Sequence, residues 1–287
     1  MEDNIQKQLQ DAQLRILKEI DRVCAENGLT YWLAFGTILG AVRHHGFIPW
    51  DDDIDLFMPV KDAEKLEALQ DRFPPNLFVQ SRRTEPEHGL MITRVRDSNT
   101  TLIEEAEADR DINHGIFVDI YPVYNAPAGR FGQKVFLART LIARLLEYGR
   151  VPQTHGTVMK AGSGVLLALV PKRARKRIVD RLYRKIAGQP DSGLLACAWA
   201  EYTRNVFPKD WFFPPERLPF EDMQAPVPGA YDKLLTIAYG DYMQLPPAEK
   251  RTVHHAFRVL DFERPYTVYR GKEYACKKQP AAQKGQV

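Results

Sequence analysis

The chain lacks several features that would place it in a specialised class of protein. Cysteine is scarce, and the three residues Cys24, Cys197 and Cys276 form no Cys-x-x-Cys pair, which argues against a disulfide framework or a zinc ribbon. No apolar run reaches the roughly 20 residues that span a bilayer. The acidic N-terminus lacks the pattern of a signal peptide. We therefore expect a cytoplasmic protein with free thiols.

An excess of charge of one sign is also missing. The 40 basic and 37 acidic side chains leave a formal net charge of +3, which is too small to indicate a nucleic-acid partner. Hydrophobic residues make up 44% of the chain and charged residues 27%, as in ordinary globular proteins. The length of 287 residues allows one large domain or a core with a subdomain.

What the chain does have is a dense acidic run directly before an apolar segment. The run contains four aspartates within five positions, namely Asp51, Asp52, Asp53 and Asp55. Two carboxylates about 5 Å apart repel each other by roughly 3 kcal/mol at an effective dielectric near 20. A divalent cation is the usual way to offset such repulsion. The alternative is a solvated acidic turn, in which aspartate is common.

The apolar segment predicts a strand over Ile54–Met58, bounded by prolines. Since side chains alternate along a strand, Asp53 and Asp55 should face the same way. Such a pair suits Mg²⁺ or Mn²⁺, which prefer carboxylate oxygens, water and substrate phosphates. Asp51 and Asp52 precede the strand and could support the metal ligands, cap the loop or face the solvent.

A phosphate-binding turn is predicted about fifteen residues earlier. Tyr31–Phe35 has the pattern of a strand, Gly36 and Thr37 follow, and Ile38–Val42 has the pattern of a short helix. Free backbone N–H groups at the start of a helix favour an anion. Arg43 could add a cation to the same phosphates. Glycine often ends a strand for steric reasons alone, so Gly36 and Thr37 are weak evidence by themselves. The prediction rests on their position close to the aspartates in the sequence.

Two further segments offer charged residues inside apolar strands. Asp119 lies in Gly115–Pro122 and is either a third metal ligand, a general base or the partner of an arginine. Arg94 and Arg96 share one face of a predicted strand. They either bind the diphosphate of a donor or lie exposed on an edge strand.

These segments resemble the LicD family, whose relatives include fukutin-related protein. The family motif G-[ST]-L-L-G-A-x-R-x-x-x-x-I-P-W-D-x-D-x-D matches residues 36–55, and only Ile38 departs from the commonest form. Residues 115–122 and 239–247 are similar to later family segments. The resemblance implies an α+β fold with a nucleotidyltransferase-like mixed sheet flanked by helices, and a mainly helical region in the C-terminal half.

The resemblance also implies an activity and its residues. Family members transfer a phospho-alcohol, usually phosphocholine in bacteria, from a CDP-activated donor to a glycan hydroxyl, and CMP leaves. The implied acceptors are cell-surface glycans such as lipopolysaccharide or teichoic acid, which can be lipid-linked. The implied metal ligands and catalytic residues are Asp53, Asp55 and Asp119. It implies a phosphate-binding role for Gly36 and Thr37. Together with the residue patterns above, we predict Gly36, Thr37, Arg43, Trp50, Arg94 and Arg96 as substrate-binding residues. A nucleotidyltransferase that moves an NMP and a catalytically silent nucleotide-binding scaffold remain alternatives.

Composition suggests four segments. We predict a catalytic core over 1–128, a helical basic subdomain over 129–205, a segment over 206–276 that packs back on the core, and a disordered tail over 277–287. The stretch 161–185 joins an apolar run to a basic cluster and indicates either peripheral contact with the inner face of the membrane, a dock for a polyanionic acceptor, or the commoner solvated face of a helix. Aromatic residues over 207–228 either cage a quaternary ammonium or pack over the core.

Overall fold

The computed structural model of the chain describes residues 2–149, 157–197, 206–251 and 256–276. The tail predicted over 277–287 lies outside these ranges. The helices are α1 Glu2–Asn27, α2 Phe35–His44, α3 Val60–Ala68, α4 Arg130–Tyr148, α5 Thr157–Leu169, α6 Lys172–Ala187 and α7 Tyr231–Tyr239. The strands are β1 Trp32–Leu33, β2 Asp55–Pro59, β3 Leu77–Gln80, β4 Thr93–Asp97, β5 Thr101–Glu104, β6 Ile116–Asn125, β7 Leu194–Cys197, β8 Phe207–Pro208, β9 Glu216–Phe220, β10 Met223–Val227 and β11 Phe257–Asp261.

A mixed sheet organises the protein. Its strand order is β1-β2-β6-β4-β3, and β7 pairs with the end of β6 and carries β8 on its other side. The pair β2 and β6 is parallel, whereas the other neighbours are antiparallel. The pairs β9–β10 and β5–β11 form two small sheets. This mixed sheet with several helices agrees with the predicted α+β class.

The central strand β6 brings charged residues from three segments into one row. Asp55 of β2 is in register with Asp119 of β6, and Arg94 of β4 is in register with Asp119 on the other side. Directly paired residues on neighbouring strands point to the same face. The side chains of Asp55, Asp119 and Arg94 therefore lie next to one another on one face of the sheet.

Helix α1 holds the backbone of the loop that contains Asp51, Asp52 and Asp53, which we call the aspartate loop. Its apolar residues, including Leu17, Ile20 and Val23, are fully buried in the core. Its buried amides Gln10 and Gln13 donate hydrogen bonds to the carbonyl oxygens of Asp51 and Asp52, at 2.9 and 3.0 Å. The loop backbone is thus fixed by the helix rather than left free in solvent.

Two predicted boundaries at the site are wrong. Helix α2 begins at Phe35, so Gly36 and Thr37 lie in its first turn and not in a turn before it. Strand β2 begins at Asp55, so Asp53 lies in the preceding loop. The cause is a contact between the two segments: the hydroxyl of Thr37 accepts the Asp55 N–H at 2.9 Å, and the Ala34 N–H binds the Asp55 carbonyl at 2.8 Å.

The region after β6 is helical, as the sequence indicates. Helix α4 packs on α6, and Tyr124, Phe136 and Ile186 belong to the apolar cluster between these helices and β6. Strands β7 and β8 then return to the main sheet. The boundaries at 128 and 205 stay predictions. None of the helices in the described ranges is both long and apolar enough to cross a membrane.

The aromatic segment fills the core. Phe212 and Phe220 are buried, and the rings of Phe212 and Phe213 meet the Trp32 ring with centroids 5.2 and 5.1 Å apart. For Phe212 and Phe220 this is the packing alternative that the sequence left open.

Candidate active site

The aspartate loop gathers three carboxylates directly before the start of β2. Oxygen atoms of Asp51, Asp52 and Asp53 lie within 4.8 Å of one another, which is close enough for one metal ion. Asp51 and Asp52 are 8% and 2% exposed, so the alternative in which they face the solvent is wrong. Among the described residues, this possible metal-binding group includes Asp51 and Asp52, which the sequence analysis did not predict as metal ligands.

Asp55 is the most strained carboxylate of the site. Its side chain is buried, and its Oδ1 atom has no hydrogen-bond partner among the described residues. Burial raises the pKa of Asp55 well above its usual range, and the negative charges of Asp53, Asp119 and Asp51 raise it further. A buried carboxylate surrounded by other carboxylates favours either a bound proton or a bound cation.

Asp119 forms the ion pair that the sequence left as an alternative. Its Oδ1 accepts a hydrogen bond from Arg94 Nε at 2.6 Å, and the Tyr121 hydroxyl lies 3.4 Å from its Oδ2. The same guanidinium bonds Glu104 and Glu107, each at 2.8 Å. One arginine therefore neutralises only part of the negative charge around it. The roles of Asp119 as metal ligand or base stay predictions.

Arg96 does not occupy the position that the sequence predicted. Strand β4 lies between β3 and β6, so neither arginine is on an edge strand. Arg96 is fully buried, and it donates to Gln80 Oε1 at 2.6 Å, Gly115 O at 2.8 Å and Glu107 at 3.2 Å. Burial lowers its pKa to about 10. Each guanidinium nitrogen serves a protein acceptor, so the described position of Arg96 is structural, and its contact with a donor diphosphate stays a prediction.

The start of α2 lies against the aspartate loop. A Cβ atom added to Gly36 would lie 2.8 Å from Asp51 Oδ2, so only glycine leaves room for this carboxylate. Thr37 is buried and uses its hydroxyl oxygen to hold the Asp55 backbone. The predicted phosphate turn thus also positions two of the aspartates.

We expect Gly36→Ala to weaken the binding of Mg²⁺ by about tenfold, because the new methyl group displaces the Asp51 carboxylate. The measurement is the Mg²⁺ concentration that gives half of the full thermal shift. Gly162→Ala is the control, because a Cβ there meets nothing within 4 Å. An unchanged Mg²⁺ requirement in Gly36→Ala would remove Asp51 from the metal site.

A second group of side chains lies beside the loop, around Trp50. Arg43 donates to the Tyr242 carbonyl at 2.7 Å, which joins the first motif to the C-terminal motif at residues 239–247. The guanidinium of Arg251 lies 5.4 Å from the Trp50 ring. Burial and the nearby charge of Arg251 lower the pKa of Arg43. Two cations and an indole therefore border the acidic loop.

Several of these residues were missed by sequence reasoning. Glu104, Glu107 and Arg251 carry no motif or spacing that marks them, whereas Tyr121 carries one signal. Tyr121 follows Asp119 by two positions and so shares its face of β6, which is the one signal that could have been used. The other three reach the site through tertiary contacts alone.

Comparison with known proteins agrees with this site. Residues 28–141 match the family model described as LicD/FKTN/FKRP, nucleotidyltransferase domain. This stretch contains Gly36, Thr37, the aspartate loop and Asp119. The resemblance to the LicD family is confirmed: residues 28–141 match its domain model, and the chain is homologous to transferases of that family.

The proteins similar to this chain include two transferases and a regulator of a mannosyltransferase. Lipopolysaccharide cholinephosphotransferase LicD from Haemophilus influenzae is 26% identical over 253 residues, which cover 84% of this chain and 92% of the relative. Ribitol 5-phosphate transferase FKRP from Homo sapiens is 30% identical over 115 residues, 39% of this chain and 21% of the relative. Mannosyltransferase regulator 4 from Saccharomyces cerevisiae is 25% identical over 164 residues, 54% of this chain and 14% of the relative.

Proposed function

We propose that this protein transfers a phospho-alcohol, phosphocholine first among them, from a CDP-activated donor to a hydroxyl of a cell-surface glycan, and that CMP leaves. The homologous LicD and FKRP proteins carry transferase names, one for a choline phosphate and one for a ribitol phosphate. The similarity to LicD runs over most of both chains, which favours choline as the alcohol.

The observation that carries the proposal is the buried, unpartnered Oδ1 of Asp55 among three further carboxylates. An oxygen-only set of donors fits Mg²⁺ or Mn²⁺ rather than zinc. Asp53, Asp55 and Asp119 would hold the ion, and Asp51 is the further candidate because it lies within 4.8 Å of Asp53. When bound, the ion supplies positive charge to the transferred phosphoryl group and to the leaving nucleotide.

The protein's own residues would bind the donor and position the reacting groups. The first turn of α2, at Gly36 and Thr37, offers backbone N–H groups toward a donor phosphate. Arg43 and the neighbouring Trp50 border the same loop and would orient the donor. Asp119 either completes the metal site or accepts the proton of the acceptor hydroxyl. Arg94 holds that carboxylate in place through its 2.6 Å hydrogen bond. Positioning and electrostatics therefore provide the rate.

The first experiment is a thermal shift series with CDP-choline, CDP-ethanolamine, CDP-ribitol and CDP-glycerol, with CTP and ATP as comparison ligands. Each ligand is measured with Mg²⁺ and again with EDTA. We expect an Mg²⁺-dependent stabilisation with CDP-choline of about 3 kcal/mol at a concentration near 100 times Kd. Stabilisation by CTP or ATP alone would contradict the proposal and favour NMP transfer, in which pyrophosphate rather than CMP is released.

The silent scaffold stays a rival because one similar protein is named a regulator of a mannosyltransferase. The two functions differ in a direct assay. A transferase releases CMP from the stabilising CDP-alcohol when a glycan hydroxyl is present. Tight binding of the donor without CMP release from any acceptor would favour the scaffold.

A further inference from the structure

Helix α6 carries a basic surface that the proposed chemistry does not use. Its sequence KRARKRIVDRLYRKIA contains eight basic residues and one acidic residue. Val179 and Ile186 are buried on the side that packs toward α4 and β6. Six basic side chains are exposed, namely Arg173, Lys176, Arg177, Arg181, Arg184 and Lys185. Arg173, Arg177, Arg181 and Arg184 recur every three or four residues and so form one stripe.

Among the residues that the structure describes, acidic side chains do not neutralise this basic face. The single carboxylate of the helix, Asp180, is taken by Arg82 at 2.6 Å. Within the described ranges, none of the six exposed cations forms a salt bridge with an acidic side chain. A cluster of like charges on one stripe repels itself, so a surface that holds it without counter-charges favours an anionic partner.

Apolar side chains stand beside the cations. Val165 and Leu169 of α5 are 60% and 74% exposed and lie one helical turn apart. Arg175 donates to the Leu167 and Val170 carbonyls at 2.8 and 3.1 Å, which fixes the end of α5 against the start of α6. Exposed aliphatic side chains are therefore held next to the first cations of the basic face.

We propose that Val165, Leu169 and the basic face of α6 form a docking surface for an anionic lipid membrane. Lysine and arginine near an anionic membrane each raise the affinity about fivefold, while apolar side chains gain by leaving water at the acyl boundary. A soluble polyanion would satisfy the cations and leave Val165 and Leu169 in water. Since the surface contains both kinds of group, a membrane fits it better than a dissolved polymer.

The test is flotation of the full chain with vesicles of phosphatidylcholine, alone or with about 30 mol% phosphatidylglycerol. We expect binding to the mixed vesicles only, and a fall in binding as salt rises. Arg173→Glu/Arg177→Glu/Arg181→Glu should lower the partition coefficient about 100-fold. The matched control is Arg15→Glu/Arg264→Glu/Lys272→Glu, which makes the same change in net charge at exposed positions on α1 and after β11. It should retain most of the binding.

The double substitution Val165→Gln/Leu169→Gln tests whether the anionic partner is a membrane or a soluble polyanion. We expect this variant to bind the mixed vesicles about tenfold more weakly, at unchanged thermal stability, because both side chains are exposed. Unchanged vesicle binding by this variant would overturn the membrane proposal in favour of a soluble polyanion. Absence of binding to the mixed vesicles, or an equal loss in the two charge variants, would overturn it as well. CMP release is not part of this test, so its outcome is independent of the proposed function.

Discussion

Asp55→Asn is expected to lower turnover by about 1000-fold or more and, at the same time, to raise the melting temperature of the metal-free protein. The activity falls because the carboxylate that should bind the metal is replaced by a neutral amide. The stability rises because the amide removes a buried charge beside Asp53, Asp119 and Asp51. A loss of activity together with a gain in stability is the signature of a functional charge kept at a structural cost.

The pH dependence of metal binding provides a second readout of the same residue. The folded-state pKa of Asp55 is raised above its unfolded value, so its ionisation destabilises the metal-free fold as pH rises through the raised pKa. Metal binding requires the ionised form. We therefore expect the thermal shift caused by Mg²⁺ to grow with pH above the ordinary range of aspartate, and Asp55→Asn to abolish this growth.

Asp222→Asn is the matched control for this prediction. Asp222 is 68% exposed at its side chain and pairs with Lys18 on the surface, so its replacement should leave activity and the Mg²⁺ response unchanged. Near-normal turnover in Asp55→Asn would remove Asp55 from the metal site. A loss of stability in place of a gain would contradict the electrostatic strain assigned to it.

Arg96→Met is expected to lower the free energy of unfolding by about 3–5 kcal/mol. The substitution leaves the buried Gln80 amide oxygen and the Gly115 carbonyl without their donor, and it removes one of the cations that hold Glu107. For a chain of this size the melting temperature should fall by about 10 °C. Urea unfolding followed by circular dichroism measures the loss.

Arg83→Met serves as the comparison, because Arg83 is 58% exposed and pairs with Glu67 at 2.6 Å. That surface pair should contribute at most about 1 kcal/mol. The KM for the donor then distinguishes a structural role of Arg96 from a role in substrate binding. If Arg96 contacted the donor diphosphate, Arg96→Met would raise KM for the donor with little loss of stability, and that result would contradict the buried network described above.

The local pattern alone predicted the chemistry of the site. The repeated aspartates before an apolar strand indicated a cation, since a counter-charge offsets the repulsion between neighbouring carboxylates. The strand period and the glycine at the start of α2 placed a phosphate-binding element near it. The motif at residues 36–55 also indicated the family, which the match over residues 28–141 bears out. These inferences needed only neighbours along the chain.

The tertiary structure decided which charged residues meet and which are buried. Asp119 and Arg94 pair because β4 and β6 are adjacent, and no spacing in the sequence specifies that adjacency. For the same reason Arg96 is fully buried and donates to Glu107, although its pattern predicted either a diphosphate contact or an exposed position on an edge strand. Asp51 and Asp52 are enclosed because two glutamines of α1, some forty residues earlier, hold their backbone. Burial and pairing depend on contacts between distant segments, and these set the charge state of each group.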